Sequence, residues 1–150
     1  MSAVEIVRAG PAMSDLLAAI HAACFDRPWD AASFATLLGD PTSVAFVASM
    51  DDPVGFVLAR AVLDEAEILT FGVVPKGRHL GVARALLGHL LRYLAEAGVT
   101  AVFLEVAEDN NGAIALYGDF GFRQTARRAN YYERSGANAA ALCLKVSLNA

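Results

Sequence analysis

The sequence predicts an α/β chain: a mixed, mostly antiparallel seven-stranded sheet with about four flanking helices. Short apolar runs with strand-like alternation, punctuated by turn residues, fill positions 43–74. One strand–helix–strand unit spans 65–106, which is how two parallel strands are joined. Hydrophobic residues form 56% of the 150 positions, enough to cover such a sheet on both faces.

Taken in order, residues 4–6 alternate as a short strand. Residues 14–24 read as a helix, with Ser14 or Asp15 as cap and Leu16, Leu17, Ile20 and Cys24 at helical spacing. Residues 30–38 give a second helix, capped by Asp30 after Pro28-Trp29 and ended by Pro41. Strands at 43–49 and 54–62 form a hairpin about the Asp51-Asp52-Pro53 turn, and a third strand at 65–74 stops at Pro75. The clearest helix covers 80–97. Leu80, Ala83, Leu86, Leu87, Leu90, Leu91 and Leu94 make its apolar stripe, with Arg84, Gly88, Arg92 and Glu96 opposite. Gly98 stands where a left-handed glycine ends a helix. Residues 101–106 are nearly all apolar, as in a strand covered on both faces. A short helix at 110–119 and two strands, one from Gly121 onward and one at 139–148, complete the chain.

Composition excludes several functions. Sixteen acidic against 12 basic side chains give a charge of −4, unsuited to neutralising the phosphates of a nucleic acid. The first ten residues mix acid and base and lack the basic start and apolar block of a signal peptide. The apolar run at 16–25 is too short to span a bilayer. One domain over 1–150, cytoplasmic, and with neither nucleic acid nor membrane as partner, is expected. Cys24 and Cys143 lack metal-site or disulfide spacing and are expected as buried free thiols; no metal is expected. His21 and His89 read as ordinary helix residues. The sequence leaves the oligomeric state open.

The segment from Val73 to Leu87 carries the strongest chemical signal. A strand ends, a loop with Gly77 and Gly81 comes next, and a long helix begins without a Ser, Thr, Asp or Asn cap. A helix N-terminus with free N–H groups beside a glycine binds anions. Lys76, Arg78, Arg84 and Arg92 lie in a stretch that holds no acid between Gly72 and Ala95, so phosphate is the natural ligand. An ordinary turn with solvated bases is the other reading. Neither a Walker A loop nor a dinucleotide fingerprint matches the spacing.

Arg78-x-x-Gly81-x-Ala83 resembles the Q/R-x-x-G-x-G/A signature of the GNAT N-acetyltransferases. Asn110-x-x-Ala113-x-x-Leu116-Tyr117-x-x-Phe120-Gly121-Phe122 resembles the segment that closes their coenzyme site. Pro28-Trp29, Leu104-Glu105-Val106 and Arg127-Arg128-Ala129-Asn130-Tyr131-Tyr132 are similar to the RimI-type branch, the ribosomal-protein-alanine N-acetyltransferases. The resemblance implies a GNAT fold with a splayed central parallel pair, acetyl-CoA as cosubstrate and a protein N-terminus, that of a small-subunit ribosomal protein, as acceptor. It implies that Arg78, His79, Leu80, Gly81, Val82, Ala83 and Arg84 cradle the pyrophosphate. Phe71, Gly72 and Val73 would meet the pantetheine amides and the thioester oxygen, and Asn110 the pantetheine arm.

Acetyl transfer to an amine needs a base, a polarised carbonyl and a proton for the departing thiolate. Glu105 is the one charge in an apolar strand, where a carboxylate costs free energy unless it is paired or used. It is the candidate base, with a solvated strand end as the other reading. Glu67, on the preceding strand, is second and is also explained by a solvated edge. Tyr117 is the candidate acid, since a phenol stays protonated at neutral pH; it also fits a core stripe with Ile114 and Phe120. Glu105, Glu108 and Asp109 would draw an ammonium group, with a solvated acidic loop as the other reading; Trp29, Tyr131 and Tyr132, as a set at family positions, would wall a peptide groove, and each alone also fits ordinary packing. Two departures from the family pattern stand out: His79 and Leu80 where Arg and Gln are common, and Asn138-Ala139-Ala140 where the branch often has an acidic pair. A GNAT enzyme for a small amine, or a non-enzymatic acetyl-CoA-binding module, are the alternatives.

Overall fold

A computed structural model describes residues 3–132 and 139–148 of the chain. Strands β1 (Glu5–Arg8), β2 (Ser43–Met50), β3 (Asp52–Val62), β4 (Glu65–Val73), β5 (Ala101–Ala107), β6 (Arg123–Tyr132) and β7 (Ala139–Ser147) form one sheet in the order β1-β2-β3-β4-β5-β7-β6. Helices are α1 (Ser14–Cys24), α2 (Ala31–Gly39), α3 (Val82–Glu96) and α4 (Asn111–Asp119). All neighbouring strands are antiparallel except β4 and β5. The element order and the single parallel pair agree with the apolar periodicity of the sequence.

The helices divide between the two faces. On one, Leu86, Leu87, Leu90, Leu91 and Leu94 of α3 pack on Val57, Ala59, Ala66, Ile68, Val102 and Leu104 of the sheet. Tyr117 of α4 joins the same cluster. On the other, Leu17 and Ile20 of α1 and Phe34 and Leu38 of α2 pack on Ala45, Val47, Phe56 and Leu58. Burying a side chain of this size contributes roughly 1.5–3 kcal/mol, so these two layers supply most of the stabilisation.

Several local expectations are corrected. Ser14 is the first helical residue of α1 rather than its cap, and its hydroxyl donates to the Pro11 carbonyl at 2.6 Å. The helix after the glycine loop begins at Val82, so Leu80 lies outside it and is exposed. A short 3₁₀ turn, Pro75–Gly77, intervenes. Asp30 does cap α2, its Oδ1 accepting the Ser33 N–H at 2.8 Å. Both cysteines are free but only half-buried. Among the described residues no helix is long and apolar enough to cross a membrane.

Candidate active site

The parallel pair parts early. β4 and β5 are in register only from Glu65–Glu67 against Ala101–Phe103, yet they run on to Val73 and Ala107. A wedge therefore opens between their C-terminal halves, where strand ends and the adjoining helix N-termini commonly place ligand sites. The β3–β4 register shifts so that Leu58 faces Thr70 while Ala59 faces Ile68, leaving Leu69 as an extra residue on β4. Such a bulge bends its strand and re-aims the residues beyond it.

At the end of β4, Phe71 and Val73 turn toward the α3 face. Gly72 turns to the other face, where a Cβ would lie 3.0 Å from Cys24 Sγ and 3.4 Å from the Phe25 ring. The glycine thus allows α1 to approach the strand. Burial pushes the Cys24 thiol pKa up, with Arg78 opposing that shift.

The loop into α3 holds two left-handed residues, His79 (φ 63°) and Gly81 (φ 82°). Gly81 is the N-cap of α3, and no side chain caps the helix. The first N–H groups of α3, from Val82, Ala83 and Arg84, have no partner within the helix and form a ready cradle for a phosphate. The basic side chains are placed differently from the expectation. Arg78 Nε donates to the Val73 carbonyl at 2.9 Å, which pins the loop to β4. Arg84 bonds Asp119 of α4 at 2.8 Å. Leu80 points to solvent beside Met50, Asp51, Val54, Lys76 and Gly77. Both guanidinium groups are thus engaged within the protein, and the donors left open at this helix end are main-chain N–H groups.

Tyr117 is buried, 5.5 Å from Phe122 and 6.3 Å from Phe71 between ring centres. Asn110 caps α4, its Oδ1 accepting the Ala113 N–H at 3.3 Å. Alternation along β5 sends Val102, Leu104 and Val106 to the α3 face and Phe103 and Glu105 to the opposite one. Tyr117 and Glu105 therefore flank the wedge from opposite faces of the sheet.

The Glu105 side chain keeps 26% of its surface exposed and lies 3.3 Å from Arg128 Nη2. The Cys143 thiol, its cross-strand neighbour, donates to Glu105 Oε1 at 3.8 Å. Glu67 is level with Phe103 on the same face and pairs loosely with Arg60 at 3.9 Å. Glu108 forms a two-pronged bond with Arg127, at 2.9 and 3.1 Å, which lowers its pKa. The acidic segment read from the sequence is thus answered by two arginines of β6, a correction to the expected negative field.

Trp29 is 37% exposed and stacks on His21; Tyr131 is exposed and lies under Arg128. The Tyr132 side chain and Asn138 lie outside the described residues, while Ala139 and Ala140 open β7. His21, Phe25, Arg128 and Cys143 border this region, and the sequence assigns none of them a role; Arg128 stands there only as part of the Arg127 to Tyr132 segment. Only the arginine pair beside Tyr131-Tyr132 carries a signal that could have found one of them. Among the described residues no group of three or more His, Cys, Asp or Glu could hold a metal ion.

Comparison with known proteins agrees with this geometry. Residues 12–122 match the acetyltransferase (GNAT) family. The chain is 33% identical over 122 residues to the [ribosomal protein bS18]-alanine N-acetyltransferase of Escherichia coli strain K12, covering 81% of this chain and 82% of that one. It is 40% identical over 119 residues to the N-alpha-acetyltransferase RimI of Mycobacterium tuberculosis, covering 76% and 73%. The fold superposes on the crystal structure of the ribosomal-protein-S18-alanine N-acetyltransferase from Escherichia coli with a TM-score of 0.93 at 28% identity, over 99% of this chain and 96% of that one. Arabidopsis thaliana NAA60, crystallised with acetyl-CoA, shares the fold at a TM-score of 0.86 and 24% identity, over 99% of this chain and 100% of that one. The chain therefore belongs to the GNAT family of acetyltransferases, enzymes that take their acetyl group from acetyl-CoA.

Proposed function

We propose that this acetyltransferase, acting as one unit over residues 1–150, acetylates the α-amine of a protein N-terminus, the N-terminal alanine of a small-subunit ribosomal protein. The observation that carries the reading is the placement of Glu105 and Tyr117 on opposite faces of the wedge between β4 and β5. A base on one face and an acid on the other suit an amine and a thioester that meet through the opening. The names of the Escherichia coli and Mycobacterium tuberculosis relatives support the choice of acceptor.

Acetyl-CoA supplies an acetyl thioester. The residues present fit it: uncapped N–H groups at Val82, Ala83 and Arg84 receive the pyrophosphate, with Gly81 turning the chain toward it. Arg78 holds that loop on β4, and Arg84 braces α3 against α4. The edge of β4 freed by the splay, at Phe71, Gly72 and Val73, offers main-chain groups to the pantetheine amides and the thioester oxygen. Asn110 fixes the start of α4 and so the depth of Tyr117.

On the other face Glu105 accepts a proton from the acceptor amine, and the nitrogen attacks the carbonyl carbon. As the new C–N bond forms and the C–S bond breaks, Tyr117 gives its proton to the leaving sulfur; Glu105 then releases the amine's proton to solvent and Tyr117 regains one from it. Glu67, Trp29, Tyr131 and Tyr132 border the acceptor side. A panel of acceptors tests this: a peptide with a free N-terminal alanine, the same peptide with its amine blocked, and a polyamine. Turnover of the free peptide alone is expected. Turnover of the polyamine with none of the peptide would assign the enzyme to small amines.

A further inference from the structure

His21 faces inward from α1 with 3% of its surface exposed. Its Nδ1 accepts the main-chain N–H of Trp29 at 3.1 Å. A ring nitrogen that accepts carries no proton, so the imidazole is neutral and holds its proton on Nε2. The ring also stacks on two others, with Phe25 at 4.3 Å and 27° and Trp29 at 5.1 Å and 22°. Phe34 of α2 meets it edge-on at 5.4 Å, and Phe56 of β3 lies 6.0 Å away.

Bond and stack act on one segment, the loop 25–30 that joins α1 to α2. Phe25 and Trp29 are fixed by His21, yet they remain 39% and 37% exposed. Rigid aromatic rings left open to solvent make contact area at low entropic cost. Phe25 stands beside the wedge, its ring 3.4 Å from where a Cβ of Gly72 would be, on the face of the sheet that carries Glu105, and Trp29 is joined to it through the His21 ring. From Trp29 a groove continues along α2, lined by Ser33, Thr36 and Leu37.

We infer that His21 is a positioning residue for the acceptor: it fixes Phe25 and Trp29 as an aromatic wall against which the side chains next to the reactive amine pack. This rests on the peptide acceptor proposed above and adds a preference for apolar or aromatic side chains in its first residues. A protonated or replaced imidazole would face the Trp29 N–H with a donor or with carbon, and the loop would lose its anchor.

Steady-state kinetics on the full chain tests the inference with two substitutions. His21→Phe keeps a flat ring and removes the acceptor; His21→Asn places an amide oxygen near the position of Nδ1. Loss of one buried hydrogen bond predicts an acceptor KM raised about five- to tenfold in His21→Phe, with kcat at saturating peptide and the KM for acetyl-CoA within about twofold. His21→Asn should restore most of the acceptor KM. An unmoved acceptor KM in His21→Phe overturns the inference, as does an equal loss in kcat and in the KM for acetyl-CoA. A wild type that turns over no peptide overturns the peptide reading itself, a distinct outcome that removes the inference with it. Trp29 is the single tryptophan, so its fluorescence decides the matter even if neither variant folds. Saturating peptide should shift the emission, and CoA alone should not. Unchanged emission with a peptide that is turned over contradicts the wall.

Discussion

The guanidinium of Arg128 lies 3.3 Å from the Glu105 carboxylate, reaching it from β6 across β7. An acceptor ammonium that approaches Glu105 meets a carboxylate already partnered, and must share it or displace the arginine. The pair is partly exposed, with 56% of the Arg128 side chain open to solvent, and such pairs contribute about 0.2–1 kcal/mol. Arg128→Ala should therefore change stability by less than about 1 kcal/mol, and in a Glu105→Gln background only the part due to the Tyr131 ring beneath the guanidinium should remain. Denaturant unfolding of the four-member cycle measures this. A cost of several kcal/mol that persists without Glu105 would give Arg128 a structural role beyond its contacts with Glu105 and Tyr131.

Gly72 and Cys24 are a packing pair. A methyl group at position 72 would lie 3.0 Å from Cys24 Sγ and 3.2 Å from its Cβ. Gly72→Ala should cost about 1–3 kcal/mol through overpacking. Cys24→Ala should recover part of it, so the double variant should be less destabilised than the sum of the single ones. Additive losses would locate the strain elsewhere.

Gly81 tests the cradle. Nothing stands within 4 Å of a Cβ there, so space is not the constraint; the φ of 82° is. Gly81→Ala should cost about 1–2 kcal/mol for the left-handed conformation. It should also weaken acetyl-CoA binding, because relaxing φ re-aims the first N–H groups of α3. Calorimetric titration that finds unchanged acetyl-CoA affinity would move the phosphates away from this helix end.

His21 gives stability a pH dependence. Burial pushes its pKa below the ordinary imidazole value of 6.5. As pH falls through that value the unfolded chain takes up a proton that the folded protein refuses. The unfolded state then binds more protons, and stability falls until the folded imidazole titrates as well. Melting curves from about pH 7.5 to about pH 5.5 should show wild type losing more stability than His21→Asn. Parallel curves would mean that the ring takes up its proton in the fold at the same pH as in the unfolded chain.

Where each signal lies decides whether the sequence makes it legible. Helix α3 can be read because Leu86, Leu87, Leu90, Leu91 and Leu94 repeat along one continuous segment. Its start is hidden because Leu80, an exposed leucine in a turn, continues the same spacing by chance. The glycine loop before α3 is visible through its missing cap and its glycines, but the pairing of Arg84 is not, since Asp119 lies on another helix. The same holds for Glu105: its isolation in an apolar strand is plain, and its partner on β6 depends on strand order. His21 gives no sign of its part because it binds a main-chain N–H, which every residue but proline offers and no sequence pattern marks.

The central claim is that Glu105 and Tyr117 act from opposite faces of the splayed strands. Its most direct test compares kcat and acetyl-CoA affinity for Glu105→Gln and Tyr117→Phe with the wild type, using a peptide with a free N-terminal alanine. The account predicts that each substitution lowers kcat by about 10²-fold or more while acetyl-CoA binding stays intact. A kcat within a few-fold of wild type in either variant would contradict it and return that residue to a packing role.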